Sequence, residues 1–142
     1  MPNPIAVPVT VNKSTTPWSL VVRGNGVGGG PEIQVAQNAL MQPIQWNLEL
    51  AAGDEGNFNA LGPTPTTSGF SWTVSPAPTA FSDFTEPAAQ SGKQIQCNDM
   101  NPVGSQSASW TYKLRATVNG NPCETNPPNP TAGSGDPKIK NE

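Results

Sequence analysis

The chain contains no histidine, only two cysteines and a single tyrosine in 142 residues. Without histidine, the Ser-His-Asp and Cys-His forms of nucleophile activation are excluded, and the commonest metal ligand is missing. Two cysteines cannot complete a structural zinc site by themselves, so neither a metal nor a cofactor is expected. Charge is also scarce. Charged residues make up 12% of the chain, about half the usual globular share. The seven bases, Lys13, Arg23, Lys93, Lys113, Arg115, Lys138 and Lys140, are scattered and outnumbered by ten acids, giving a net charge of −3. Nucleic-acid binding relies on clustered lysine and arginine at phosphates, so nucleic acid is not an expected partner. No apolar run reaches the roughly 18 residues of a membrane helix. The start, Met1-Pro2-Asn3-Pro4-Ile5, has neither the basic region nor the apolar stretch of a secretory signal. Cytoplasm, virion and secretion after removal of a leader all stay open.

Chain breakers are abundant. With 17 Pro and 14 Gly, long helices are not expected, because proline removes a backbone donor and glycine costs entropy inside a helix. The low charge argues against a solvated disordered chain, and four Trp, four Phe and one Tyr are enough to seed a core. The length fits one domain over residues 1–142, with 1–4 an extended arm and 125–142 a tail.

Strict alternation of apolar and polar residues is the dominant pattern. Ile5, Val7, Val9 and Val11 share one face, and Pro8 within that run marks an edge strand. Trp18 to Arg23 reads as a short strand. Ile33 and Val35 read as another, although Pro31 to Met41 also fits an amphipathic helix with Pro31 at its first position. Ile44, Trp46, Leu48 and Leu50 alternate with polar residues, as do Phe70, Trp72 and Val74, and then Ile95 and Cys97. Residues 51–65 and 75–92 read as loops, with Phe81 and Phe84 pinning the second. The cleanest strand is Ser109 to Val118, with Trp110, Tyr112, Leu114, Ala116 and Val118 on one face. Asn119-Gly120 follows it as a type I′ hairpin signal. Residues 125–135 read as loop, and Lys138-Ile139-Lys140 as a last short strand with lysines guarding an edge. The pattern gives an all-β, antiparallel β-sandwich of seven to eight short strands with long Pro/Gly-rich loops.

The run Trp110-Thr111-Tyr112-Lys113-Leu114, the Asn119-Gly120 turn and a closing strand resemble the final hairpin of immunoglobulin-like and fibronectin-like sandwiches. The ending Asp136-Pro137-Lys138-Ile139-Lys140-Asn141 is similar to closing strands of small bacterial sandwich proteins. The resemblance covers the last quarter of the chain and implies a fold only. Cys97 and Cys123 depart from the antibody pattern, where the two cysteines bracket a strand-C tryptophan.

Few residues suggest chemistry. Cys97 and Cys123 fall beside expected strands and could close one bridge, contributing about 3–4 kcal/mol; two thiols in a reducing cytoplasm are the equal alternative. Gly24-Asn25-Gly26-Val27-Gly28-Gly29 matches G-x-G-x-x-G, but a dinucleotide site needs a helix next, and a Gly-rich loop is the simpler account. Asp54-Glu55 offers oxygen ligands without the spacing of a calcium loop. Carboxylate pairs for sugar hydrolysis could be drawn from Glu32, Glu49, Asp54, Glu55, Asp83, Glu86 and Asp99. Each of Trp18, Trp46, Trp72 and Trp110 lies on a core register, with Trp18 the best candidate for an exposed stacking platform. Asn12-Lys13-Ser14 is a formal glycosylation sequon.

The expected function is a non-catalytic structural or protein-interaction sandwich, a subunit of a self-assembling, surface or virion structure. It would associate with itself or a protein partner, and Trp18, Asp54 and Glu55 are the candidate contacts. The alternative is a carbohydrate-binding module using exposed tryptophan. A carboxylate hydrolase or nucleotide binder ranks below both.

Overall fold

The computed structural model describes residues 3–14, 17–25, 31–38, 40–62, 67–73, 88–101, 104, 108–125 and 137–141. Among these residues there is no helix and there are eleven strands. They are β1 (Ile5–Asn12), β2 (Ser19–Val22), β3 (Ile33–Val35), β4 (Gln42–Leu48), β5 (Gly56–Phe58), β6 (Phe70–Trp72), β7 (Ala88–Ser91), β8 (Gln94–Asp99), β9 (Ala108–Val118), β10 (Asn121–Thr125) and β11 (Lys138–Asn141). The segment around Ile33 is a strand, not a helix. Two strands, β5 and β7, fall in stretches that read as loop. Val74, Phe81, Phe84, Met1, Pro2 and residues 126–136 lie outside the described residues.

The strand order is β3-β11-β9-β10-β2-β1-β4-β8-β7, with β5 and β6 also paired to β9. The expected purely antiparallel sheet is not what forms. β1 runs parallel to β4, β10 to β2 and β11 to β3. Alternation along one strand reports which face is buried, not the direction of its neighbour, so the sequence pattern carried no information on this point.

Two edge assignments are corrected by the same order. β1 lies between β2 and β4. Pro8 is tolerated there because of where its missing donor falls. Arg23 N–H donates to Pro8 O at 3.1 Å, one rung past the last registered pair, Val9 with Val22. The ladder ends at that rung, so no return bond from Pro8 is needed. β11 is likewise internal, between β9 and β3. Lys138 and Lys140 are exposed on its outer face while Ile139 is fully buried. The last residues of the tail segment are thus a core strand.

β9 carries the most pairing. Its first part pairs with β11 and its last part with β10, while β6 and β5 pair along it as well. Between the β11 and β10 stretches the amide of Leu114 faces a gap. Thr125 Oγ1 fills it, accepting the Leu114 N–H at 3.0 Å. Thr125 is buried and is also registered with Leu20 of β2. At this point β10 passes from β9 to β2.

The sheet folds back on itself around an aromatic core. β9 and β4 are four neighbour steps apart in the order, about 19 Å on a flat sheet. Yet Trp46 Nε1–H donates to Tyr112 Oη at 3.0 Å, and Phe70 stacks on Tyr112 with ring centroids 5.2 Å apart. Trp46 lies tilted against Phe70 at 5.2 Å. Phe58 N–H also donates to Gly92 O at 2.7 Å, tying β5 to the β7–β8 turn. Gly56 is required where β5 lies against β9: a Cβ there would lie 2.6 Å from Thr117 O. The Asn119-Gly120 signal is realised as expected, with φ of 51° and 78° and Val118 paired to Asn121.

Two isosteric changes test these buried bonds. Thr125→Val strips the acceptor from the Leu114 amide, and Tyr112→Phe strips it from Trp46 Nε1. Each should cost about 1–3 kcal/mol, the price of a buried polar group left without a partner. Urea unfolding monitored by tryptophan fluorescence measures this. An unchanged midpoint in both would contradict the assignment.

Candidate functional site

Three turns meet at one end of the sheet. The first follows β1. Asn12 Oδ1 accepts the Ser14 N–H at 2.9 Å, a side-chain turn that reverses the chain toward β2. It sets the Lys13 ammonium 5.1 Å from the centroid of the Trp18 ring, a cation–π distance. The second turn, after β4, is closed by Asp54 N–H donating to Ala51 O at 3.0 Å. Gly53 sits there with φ of 87°. The third is the Asn119-Gly120 hairpin.

The side chains of Lys13, Asp54 and Asn119 tie these turns together. Lys13 Nζ lies 2.9 Å from Asp54 Oδ1 and 2.8 Å from Oδ2. Asn119 Nδ2 donates to Asp54 Oδ1 at 2.9 Å, and its Oδ1 accepts the Glu55 N–H at 2.9 Å. Asn119 N–H returns to Glu55 O at 2.7 Å. Of the expected contacts, the structure therefore joins Trp18 to Asp54 through Lys13. The Glu55 backbone is used while the residue stays exposed. The hydrogen bonds from Lys13, then Asn119, hold the Asp54 carboxyl below its ordinary value. That direction opposes a general-acid role, which needs a raised carboxyl.

Shallow depressions flank the cluster. One, of about 510 Å³, is lined by Thr10, Asn12, Lys13, Glu49 and Asp54. The other, of about 520 Å³, is lined by Glu55, Asn57, Asn59, Thr117 and Asn119. Their amides and hydroxyls can exchange hydrogen bonds with a polar ligand. Glu49 and Asp54 share the first of these depressions, and both oxygens of Asp54 are engaged by Lys13. Elsewhere Glu32 lies 3.3 Å from Lys138. Asp99, fully buried, accepts from Asn141 Nδ2 at 3.0 Å. Asp83 and Glu86 are outside the described residues.

Cys97 and Cys123 are not bridged; both are free and buried. Cys97 is on β8 and Cys123 on β10, with β2, β1 and β4 between them in the order. Burial pushes both thiols up, with Asp99 adding to the effect at Cys97, so neither is poised as a thiolate. Gly26 to Gly29 lie outside the described residues, and the next described element is the strand β3. Trp18 is half-buried, and Trp46, Trp72 and Trp110 pack in or against the core. The sequence pattern singles out neither Lys13, one of the scattered bases and part of a sequon, nor Asn119, a turn residue. A polar turn side chain at positive φ, available to clamp another turn, was the one signal for the latter.

Among the described residues no group of three or more His, Cys, Asp or Glu could hold a metal, and no helix is long and apolar enough to cross a membrane. No protein-family model matches the chain, and no curated protein sequence matches it.

Asp54→Asn tests the clamp through pH. The folded carboxyl is held below its ordinary 3.8, so its contribution is complete above that value and is lost as pH falls through the lower folded one. Wild type should exceed the variant in urea stability at neutral pH, and the gap should close below pH 3.8. A gap independent of pH would contradict the ion pair.

Proposed function

We propose that the chain is a non-catalytic structural or protein-interaction domain of immunoglobulin-like sandwich type. It serves as a subunit of a self-assembling, surface or virion structure. The observation that carries this reading is the position of its exposed apolar side chains. Among the described residues, Val21, Leu40 and Met100 are the large hydrophobics left exposed, at 42%, 53% and 41%. Asn38 N–H donates to Asn101 O at 2.9 Å, which sets the backbone segments that carry Leu40 and Met100 side by side. Adjacent exposed apolar groups mark contact surfaces more often than scattered ones do. The candidate polar site supports the same reading. Lys13 and Asn119 each bond Asp54 and so bind three turns together.

The runner-up reading is a carbohydrate-binding module. It is favoured by the polar depression of about 510 Å³ beside Lys13. Against it, the Lys13 ammonium already occupies a position over the Trp18 ring, where a sugar would stack.

Light scattering across a concentration series separates the two. The interaction reading predicts a mass above the monomer, reduced by the paired change Leu40→Glu with Met100→Glu. A strict monomer at high concentration, with tryptophan fluorescence that responds to a glycan panel, would overturn it in favour of the sugar reading.

A further inference from the structure

In an Asn-Gly dipeptide the asparagine amide is open to attack by the next backbone nitrogen, because glycine puts no side chain beside it. The chain holds two such dipeptides, Asn25-Gly26 and Asn119-Gly120, and both asparagines are exposed. Each amide is nevertheless held at both ends. Asn25 Oδ1 accepts the Gln34 N–H at 2.7 Å, and its Nδ2 donates to Gln34 O at 2.9 Å. Asn119 Oδ1 accepts the Glu55 N–H at 2.9 Å, and its Nδ2 donates to Asp54 Oδ1 at 2.9 Å. Gly120 has φ of 78°, and a Cβ added there would meet nothing within 4 Å, so no neighbouring atoms crowd that side of the turn. What restrains Asn119 is the pair of bonds on its own amide.

We propose that Asn119 is a deamidation site held closed by the cluster that joins the three turns. In the reaction the Gly120 nitrogen bonds to Asn119 Cγ and the Cγ–Nδ2 bond breaks. The amide leaves as ammonia, taking the backbone proton. Water then opens the cyclic imide at either carbonyl, leaving aspartate or isoaspartate, and nothing is oxidised or reduced. Ring closure needs Cγ against Gly120 N, on the carboxyl side of the residue. The structure holds the side chain on the amino side, where Oδ1 accepts the Glu55 N–H and the Asn119 N–H donates to Glu55 O at 2.7 Å. Closure therefore breaks the bonds to Glu55 and Asp54 together. The bond to Asp54 is charge-assisted, since that carboxylate is paired with Lys13 at 2.8 Å. The product cannot rebuild the cluster. A carboxylate at position 119 offers no donor to Asp54 and sets like charge against it. Isoaspartate also lengthens the backbone inside a two-residue hairpin turn. One loss of ammonia thus frees the β9–β10 hairpin from the turn after β4, and the change is one-way.

Peptide mapping by mass spectrometry, on the full chain aged in mildly alkaline buffer, tests this. The amide-to-acid mass gain is followed separately at Asn119 and at Asn25. Asp54→Ala removes the charged acceptor and should speed the loss at Asn119 roughly tenfold or more. Asp54→Asn keeps an oxygen for Asn119 Nδ2 without the ion pair, and should stay close to wild type. Asn25, held by Gln34, should change in neither variant and reports any general loosening of the fold. Asn119→Asp makes the product directly, and should lower the urea midpoint. Equal rates at Asn119 in wild type and Asp54→Ala overturn the proposal. So does Asp54→Asn reacting as fast as Asp54→Ala, or a rise at Asn25 that matches the rise at Asn119. An unchanged midpoint for Asn119→Asp overturns the one-way release of the hairpin.

Discussion

The fold depends on β9 having more to pair with than one neighbour on each side. Four other strands bond to it, and two of them follow one another along the same edge. Where β11 gives way to β10, a backbone amide would face the interior with nothing to bond. A buried amide without a partner costs about 1–3 kcal/mol, a large share of a small domain's net stability. Thr125 removes that cost by placing its hydroxyl against the Leu114 N–H. β10 can then leave β9 and pair with β2, carrying the sheet onward to β1, β4 and β8. The return of that sheet over β9 brings Trp46 onto Tyr112 and fixes the aromatic core.

The sequence conveyed faces well and neighbours badly. Alternation in Ser109 to Val118 identified the buried side of β9 correctly, down to Leu114 and Tyr112. Asn119-Gly120 located the hairpin, because few other dipeptides accept two successive positive φ values. Strand direction was not legible, since a buried valine looks the same whether its neighbour runs parallel or antiparallel. Pro8 misled for a related reason. It lacks a donor, but only the rung it lands on decides whether a donor is needed. β5 was invisible because Gly56-Asn57-Phe58 is too short to alternate, and its glycine answers to a close approach by Thr117 and Val118.

The candidate site shows the same division. Asp54 and Trp18 could be singled out as unusual residues in isolation. Lys13 connects them only because the turn after β1 and the turn after β4 lie at the same end of the sheet, a fact of parallel pairing between β1 and β4. The cluster that results is an anchor for three turns. Its polar atoms bond one another across the turns, while Leu40 and Met100 stand exposed elsewhere.

Amide hydrogen exchange resolved by residue tests the central role of β9 most directly. The account predicts that the amides from Tyr112 to Val118, Leu114 among them, are the last to exchange and open only with global unfolding. Exchange at Leu114 faster than in β1 and β4 would contradict it.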